Sequence, residues 1–178
     1  MILDLIAKAA SQLDWRFITP SPYEYGHNEP VRSDRQVWQE RLLAYELYHQ
    51  LRRIWDEDRS LHEAFIIHAE VRKAYQHIPD FDWMPDYIFH RPEPNHNLAV
   101  VEIKLASRTL EQIRDDIRKL VDFNTRLNYA LLIEILIGNE DRCRRVCDEL
   151  NSKTGIPIHI LPISPGKGPL KLRQIRFA

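Results

Sequence analysis

The run Tyr129-Ala130-Leu131-Leu132-Ile133-Glu134-Ile135-Leu136-Ile137 limits the possible folds more than any other stretch of the chain. A strand covered on one face alternates apolar and polar side chains, whereas one buried on both faces is apolar almost throughout. Such a strand typically follows a crossover connection, and the preceding residues supply one. Leu110, Ile113, Ile117, Leu120 and Val121 recur at helical spacing, which predicts a helix from about Thr109 to Phe123 capped by Ser107 or Thr109. A crossover helix leading into a doubly buried strand requires a layered α/β domain. The chain has 178 residues, 44% of them hydrophobic, with four tryptophans, enough for one domain with extensions. Five glycines and no internal repeat exclude fibrous and disordered classes.

Other elements follow from periodicity and punctuation. Ile2, Leu3, Leu5, Ile6, Ala9, Ala10 and Leu13 predict a helix over residues 2 to 14. Pro20, Pro22, Gly26 and Pro30 mark residues 19 to 34 as a loop or arm, and its Tyr23, Tyr25 and His27 pack on the domain or stack on bases. Ser33 or Asp34 caps a helix from about Arg35 to Trp55. Phe65 to Lys73 reads as a strand with Glu70 at its middle, an auxiliary acid of a metal site or, as the favoured reading, the partner of a lysine on a neighbouring strand. Residues 74 to 84, with His77, Asp80 and Asp82, connect it to the next strand. A helix from Glu140 to Lys153 ends at Gly155, and Ile156 to Ile163 is a final core strand. The tail from Ser164 carries Lys167, Lys171, Arg173 and Arg176 with no acid, which suits an edge strand or a nucleic-acid backbone contact. One domain covers 1–178: helix and arm 1–34, core 35–163, basic tail 164–178.

Charges inside strands carry the chemistry. Met84-Pro85-Asp86-Tyr87-Ile88-Phe89-His90 opens a strand at Asp86, and a turn-forming stretch with Pro92, Pro94 and Asn95 leads into Leu98-Ala99-Val100-Val101-Glu102-Ile103-Lys104-Leu105. Side chains alternate along a strand, so Glu102 and Lys104 share one face while Val101, Ile103 and Leu105 share the other. Magnesium takes oxygen ligands and keeps several waters, so one or two carboxylates suffice to hold it. Asp86 and Glu102 supply them, with the Ile103 carbonyl as a further oxygen. A bound metal acidifies a coordinated water and neutralises charge on an attacked phosphate. Lys104 beside that water orients it, stabilises developing negative charge, or accepts its proton. The competing reading is an exposed cross-strand ion pair, worth about 0.2–1 kcal/mol. The apolar strand around Glu102 and Lys104, and the Pro-Asp strand opening at hairpin distance, favour the site.

Pro85-Asp86 followed by Glu102-Ile103-Lys104 resembles the motif of the PD-(D/E)XK, or restriction-endonuclease-like, nuclease superfamily. The resemblance spans residues 36 to 162 and extends to the order of elements. It implies an α/β fold with a restriction-endonuclease-like core, a mixed central β-sheet flanked by helices in α-β-β-β-α-β order. It also implies a metal-dependent nuclease with Mg²⁺ or Mn²⁺ as cofactor and nucleic acid, DNA before RNA, as substrate. In that family a glutamate on the first core helix often completes the metal site. Here that is Glu46, beside the apolar stripe, with Glu40 as runner-up. Gln50 and Arg53, with His49 and Arg52, are then placed to touch phosphate or orient Glu46, and Gln112 and Lys119 of the crossover helix border the site. The alternative is a non-catalytic module that keeps the fold and binds nucleic acid or protein.

A net charge of −1 gives a weak electrostatic footprint for a nucleic-acid binder, so the basic surface must be local. No recognition domain is visible, and specificity falls to the core, a homodimer or a partner protein. Cys143 and Cys147 lack two further nearby zinc ligands and read as reduced structural thiols of a cytoplasmic protein. Asp4 and Lys8 interrupt the first apolar residues, so no signal peptide is read there, and no stretch is long enough to span a membrane.

Overall fold

The apolar run is the middle strand of a seven-stranded mixed sheet with helices on both faces. The structure, a computed structural model, describes residues 1–18, 39–71, 81–91 and 96–178. Its elements are α1 (Ile2–Ser11), α2 (Trp15–Ile18), α3 (Glu40–Glu57), α4 (Arg59–Ala64), β1 (Ile66–Ala69), β2 (Tyr87–His90), β3 (Asn97–Leu105), α5 (Leu110–Leu127), β4 (Leu131–Ile137), α6 (Glu140–Leu150), β5 (Ile156–Ser164), β6 (Gly168–Pro169) and β7 (Arg173–Phe177). β1, β2 and β3 pair antiparallel, β4 and β5 join parallel, and β6 and β7 both pair antiparallel with β5. No helix among the described residues is long and apolar enough to cross a membrane.

The sheet divides the core in two. Val101 and Ile103 of β3, with Ile133, Ile135 and Ile137 of β4, pack against Leu5, Ile6 and Ala9 of α1 and Leu43, Leu47 and Leu51 of α3. Val100, Leu132 and Leu136 on the opposite face meet Ile113, Ile117, Leu120 and Phe123 of α5 and Val146 and Leu150 of α6. The strand alternation expected for β3 is therefore present, and β4 is buried on both faces.

Several boundaries differ from the sequence expectation. The first helix stops at Ser11, and a separate turn of helix, α2, follows. The arm at 19–34, the cap candidates Ser33 and Asp34, and His77 and Asp80 lie outside the described residues. Within them α3 begins at Glu40 and runs on to Glu57. β1 ends at Ala69 because Glu70 takes a left-handed φ of 48°, which turns the chain out of the strand. Its N–H donates to the Asp86 carbonyl at 3.0 Å, and its carboxylate faces Arg41 of α3 at 3.6 Å rather than a strand lysine. α5 runs one turn past Phe123, to Leu127, until Asn128 closes it at φ 55°. α6 ends at Leu150, before the expected Lys153. Gly155 (φ 118°) then turns the chain against the backbone of Phe177, where a β-carbon would collide. The basic tail is the edge strand β7. Its Arg173 pairs with Asp148 at 2.9 Å, and Arg176 donates to the Gly155 carbonyl at 3.1 Å.

Candidate active site

The α5-facing side of β3 is where apolar alternation is broken. Asp86 immediately precedes Tyr87, which pairs with Val101, so Asp86 sits next to Glu102 on the neighbouring strand. Its Oδ2 accepts the Ile103 N–H at 2.7 Å, which pins the carboxylate to the strand. Across the parallel ladder Glu102 pairs with Glu134, placing a second acid beside it under α5. Lys104, two residues on from Glu102, reaches Asp116 of α5 at 2.7 Å and Glu40 of α3 at 3.7 Å. Lys119 closes on the other Asp116 oxygen at 2.6 Å, and Arg108 on Glu40 at 2.9 Å. An open cleft of about 830 Å³ runs along this group between Glu40, Lys104, Asp116 and Lys119.

The electrostatics follow from burial. Glu102 is 6% exposed and Glu134 fully buried, and one oxygen of the first and both of the second lack hydrogen-bond partners. Burial, then the neighbouring Asp86 charge, pushes the Glu102 carboxyl well above its ordinary range. Burial, then Asp116 and Glu102, does the same to Glu134. Asp86 is pushed up to about 6, chiefly by burial, with the Ile103 N–H pulling the other way. Burial alone would weaken the Lys104 charge, but the hydrogen bond and charge of Asp116, with Glu40 and Glu134, outweigh it and hold the ammonium more firmly protonated. Lys119 is raised in the same manner by Asp116 and Glu102. Five carboxylates, Glu40, Asp86, Glu102, Asp116 and Glu134, thus surround three cations, Lys104, Arg108 and Lys119. The surplus negative charge requires protons or an added cation.

Of the residues expected at the site, Asp86, Glu102, Lys104 and Lys119 come together. Gln112 lines the cleft, with its side chain also engaged in the capping box at Thr109. Glu46 does not join them. Its Oε1 accepts the Asp14 N–H at 3.2 Å and Gln50 Nε2 at 2.6 Å, and Gln50 in turn accepts from Arg53. That trio ties α3 to the α1–α2 connection. The helix acid that reaches Lys104 is Glu40, because α3 starts there and its first turn abuts the end of β3, where Glu40 also accepts the Leu105 N–H at 3.3 Å.

Asp116 and Glu134 were not singled out from the sequence, although both left a trace there. Asp116 falls between Ile113 and Leu120 at stripe spacing, so the helix itself buries it. Glu134 is the one charged residue in the doubly buried run. Among the described residues no three His, Cys, Asp or Glu side chains form a ready-made metal group. Asp86 and Glu102 offer a carboxylate pair, and magnesium, which retains waters, needs no more. No family model matches the chain, and no curated protein or solved structure matches it either.

Proposed function

We propose that this chain is a metal-dependent nuclease with a restriction-endonuclease-like core, hydrolysing phosphodiester bonds, in DNA before RNA. The observation that carries the reading is the pairing of two carboxylates, half-buried Asp86 and buried Glu102, with Lys104 on the same strand face. Support comes also from the order of elements: α3, the antiparallel β1, β2 and β3, then α5 and the parallel β4, with short α4 between α3 and β1. Ligand sites of such sheets form at the carboxyl ends of parallel strands, and Glu40, Lys104 and Arg108 cluster at that end of β3.

The donor set fits a hard divalent cation. The unpartnered Glu102 oxygen and the raised Asp86 and Glu102 carboxyls are what a cation would relieve. Asp86 and Glu102 would hold Mg²⁺ or Mn²⁺, which when bound supplies an acidified water and charge neutralisation at phosphate. The Ile103 N–H orients the Asp86 carboxylate. Lys104, kept protonated by Asp116 and Glu40, acts as a charge that holds phosphate and stabilises the oxygens of the pentacoordinate phosphorus, not as the proton acceptor. Glu40 and Asp116 fix where that ammonium points.

One observation favours the rival reading of a non-catalytic module: Lys104 and Lys119 are both already paired with Asp116. Incubation with supercoiled plasmid, linear duplex, single-stranded DNA and RNA, in Mg²⁺, Mn²⁺ or EDTA, separates the two. Metal-dependent cleavage by wild type that is lost in Lys104→Ala supports hydrolysis. Absence of cleavage in every metal, with nucleic acid still bound, supports the module.

A further inference from the structure

Trp83 lies three residues before Asp86, in the segment that leads into β2, and its ring lines the same cleft as Lys104 and Lys119. The side chain is 37% exposed. Its polar edge is tied down, because Nε1 donates to Asp122 Oδ2 of α5 at 3.2 Å. Lys119 Nζ stands 5.8 Å from the ring centroid, and the same ammonium pairs with Asp116, which also holds Lys104. One lysine therefore links an oriented, partly open aromatic ring to the acid-rich face of β3.

We propose that the cleft takes single-stranded nucleic acid, with an unpaired base stacked on Trp83 and the adjoining phosphate directed toward Lys119 and Lys104. This deepens the hydrolytic reading above and rests on it for the nature of the ligand. A ring fixed along one edge loses little conformational freedom on binding, and any base offers it a π-face. Base pairs inside a duplex present no free face, so single strands or frayed ends are favoured. The charge of the cleft adds a second constraint. Its lining holds four cationic side chains against four carboxylates, so few counterions are released and affinity depends only weakly on salt.

Anisotropy of labelled oligo-dT, oligo-rU and a blunt duplex, in EDTA so that nothing is cleaved, tests the proposal on wild type, Trp83→Ala, Trp83→Leu and Trp83→Phe. Thermal melting of each variant confirms that it is folded. Wild type should bind a single strand more tightly than the duplex. Trp83→Ala and Trp83→Leu should weaken that binding on the order of 10- to 100-fold, equally at low and moderate salt, while Trp83→Phe retains most of it. Comparison of oligo-dT with oligo-rU identifies the sugar. Equal single-strand affinity in Trp83→Ala and wild type, or tighter binding of duplex, would overturn the proposal. Trp83-dependent binding without cleavage in Mg²⁺ would retire the hydrolytic reading and uphold the stacking. Undiminished cleavage and affinity in Trp83→Ala would do the reverse.

Discussion

The two faces of β3 and β4 obey opposite rules. Toward α1 and α3 the strands present Val101, Ile103, Ile133, Ile135 and Ile137, a face without a buried charge. Toward α5 the same strands present Glu102, Lys104 and Glu134, with Asp86 just before β2 and Asp116 brought down from the helix. Burial and strand geometry are alike on both sides, so neither accounts for the difference. One face has the composition expected for stability alone. The other concentrates carboxylates where desolvation opposes their charge, a pattern typical of sites shaped for ligands or chemistry.

Neighbouring residues of β4 give the sharpest contrast. Ile133 belongs to the apolar face, and truncation to Ala should cost about 2–5 kcal/mol of stability in denaturant unfolding. Glu134→Leu should act in the opposite direction and stabilise the metal-free protein by about 1–4 kcal/mol, since a buried acid without partners is replaced by a packed hydrocarbon. If Glu134→Leu destabilises instead, the acid has a structural role and the contrast between faces is lost.

A smaller effect concerns pH. The folded-state pKa of Asp86 is raised from 3.8 to about 6, so the folded protein binds that proton more tightly than the unfolded chain. Its contribution is most favourable below about pH 4 and declines as pH rises through about 6. Glu102 and Glu134, raised further by burial, extend the decline to higher pH. Relative to wild type, Asp86→Asn should therefore gain stability with increasing pH over that window, as read by melting temperatures in metal-free buffers. A pH-independent difference would mean that Asp86 is not desolvated. Smallest of all, Arg118→Ala removes exposed pairs with Glu111 and Asp115 at the rim of the cleft and should leave the melting temperature essentially unchanged.

The same two faces show what a sequence makes legible. Period-two alternation in 98–105 and the apolar run of β4 are local patterns, and both strands lie where those patterns put them. Asp86, Glu102 and Lys104 were readable because a charge inside an apolar strand contradicts its surroundings. The identity of the helix acid was not readable, because it depends on where α3 begins and which of its turns touches β3. Glu46 satisfied the helical spacing but faces Asp14 and Gln50, while Glu40 reaches the end of β3. Asp116 falls on the apolar stripe of α5 but stands among charged neighbours, Arg114, Asp115, Arg118 and Lys119, that mask its position. The strand pattern from Phe65 continues past the true end of β1 because nothing in Glu70 itself announces a left-handed backbone.

The central claim is that the acids on the α5 face hold a divalent cation through Asp86 and Glu102. Calorimetric titration of metal-free protein with Mn²⁺, with melting temperatures recorded alongside for wild type and Asp86→Ala, tests it most directly. The account predicts saturable binding and a higher melting temperature for wild type, with both effects lost in Asp86→Ala. Equal binding and equal stabilisation in the two proteins would contradict it.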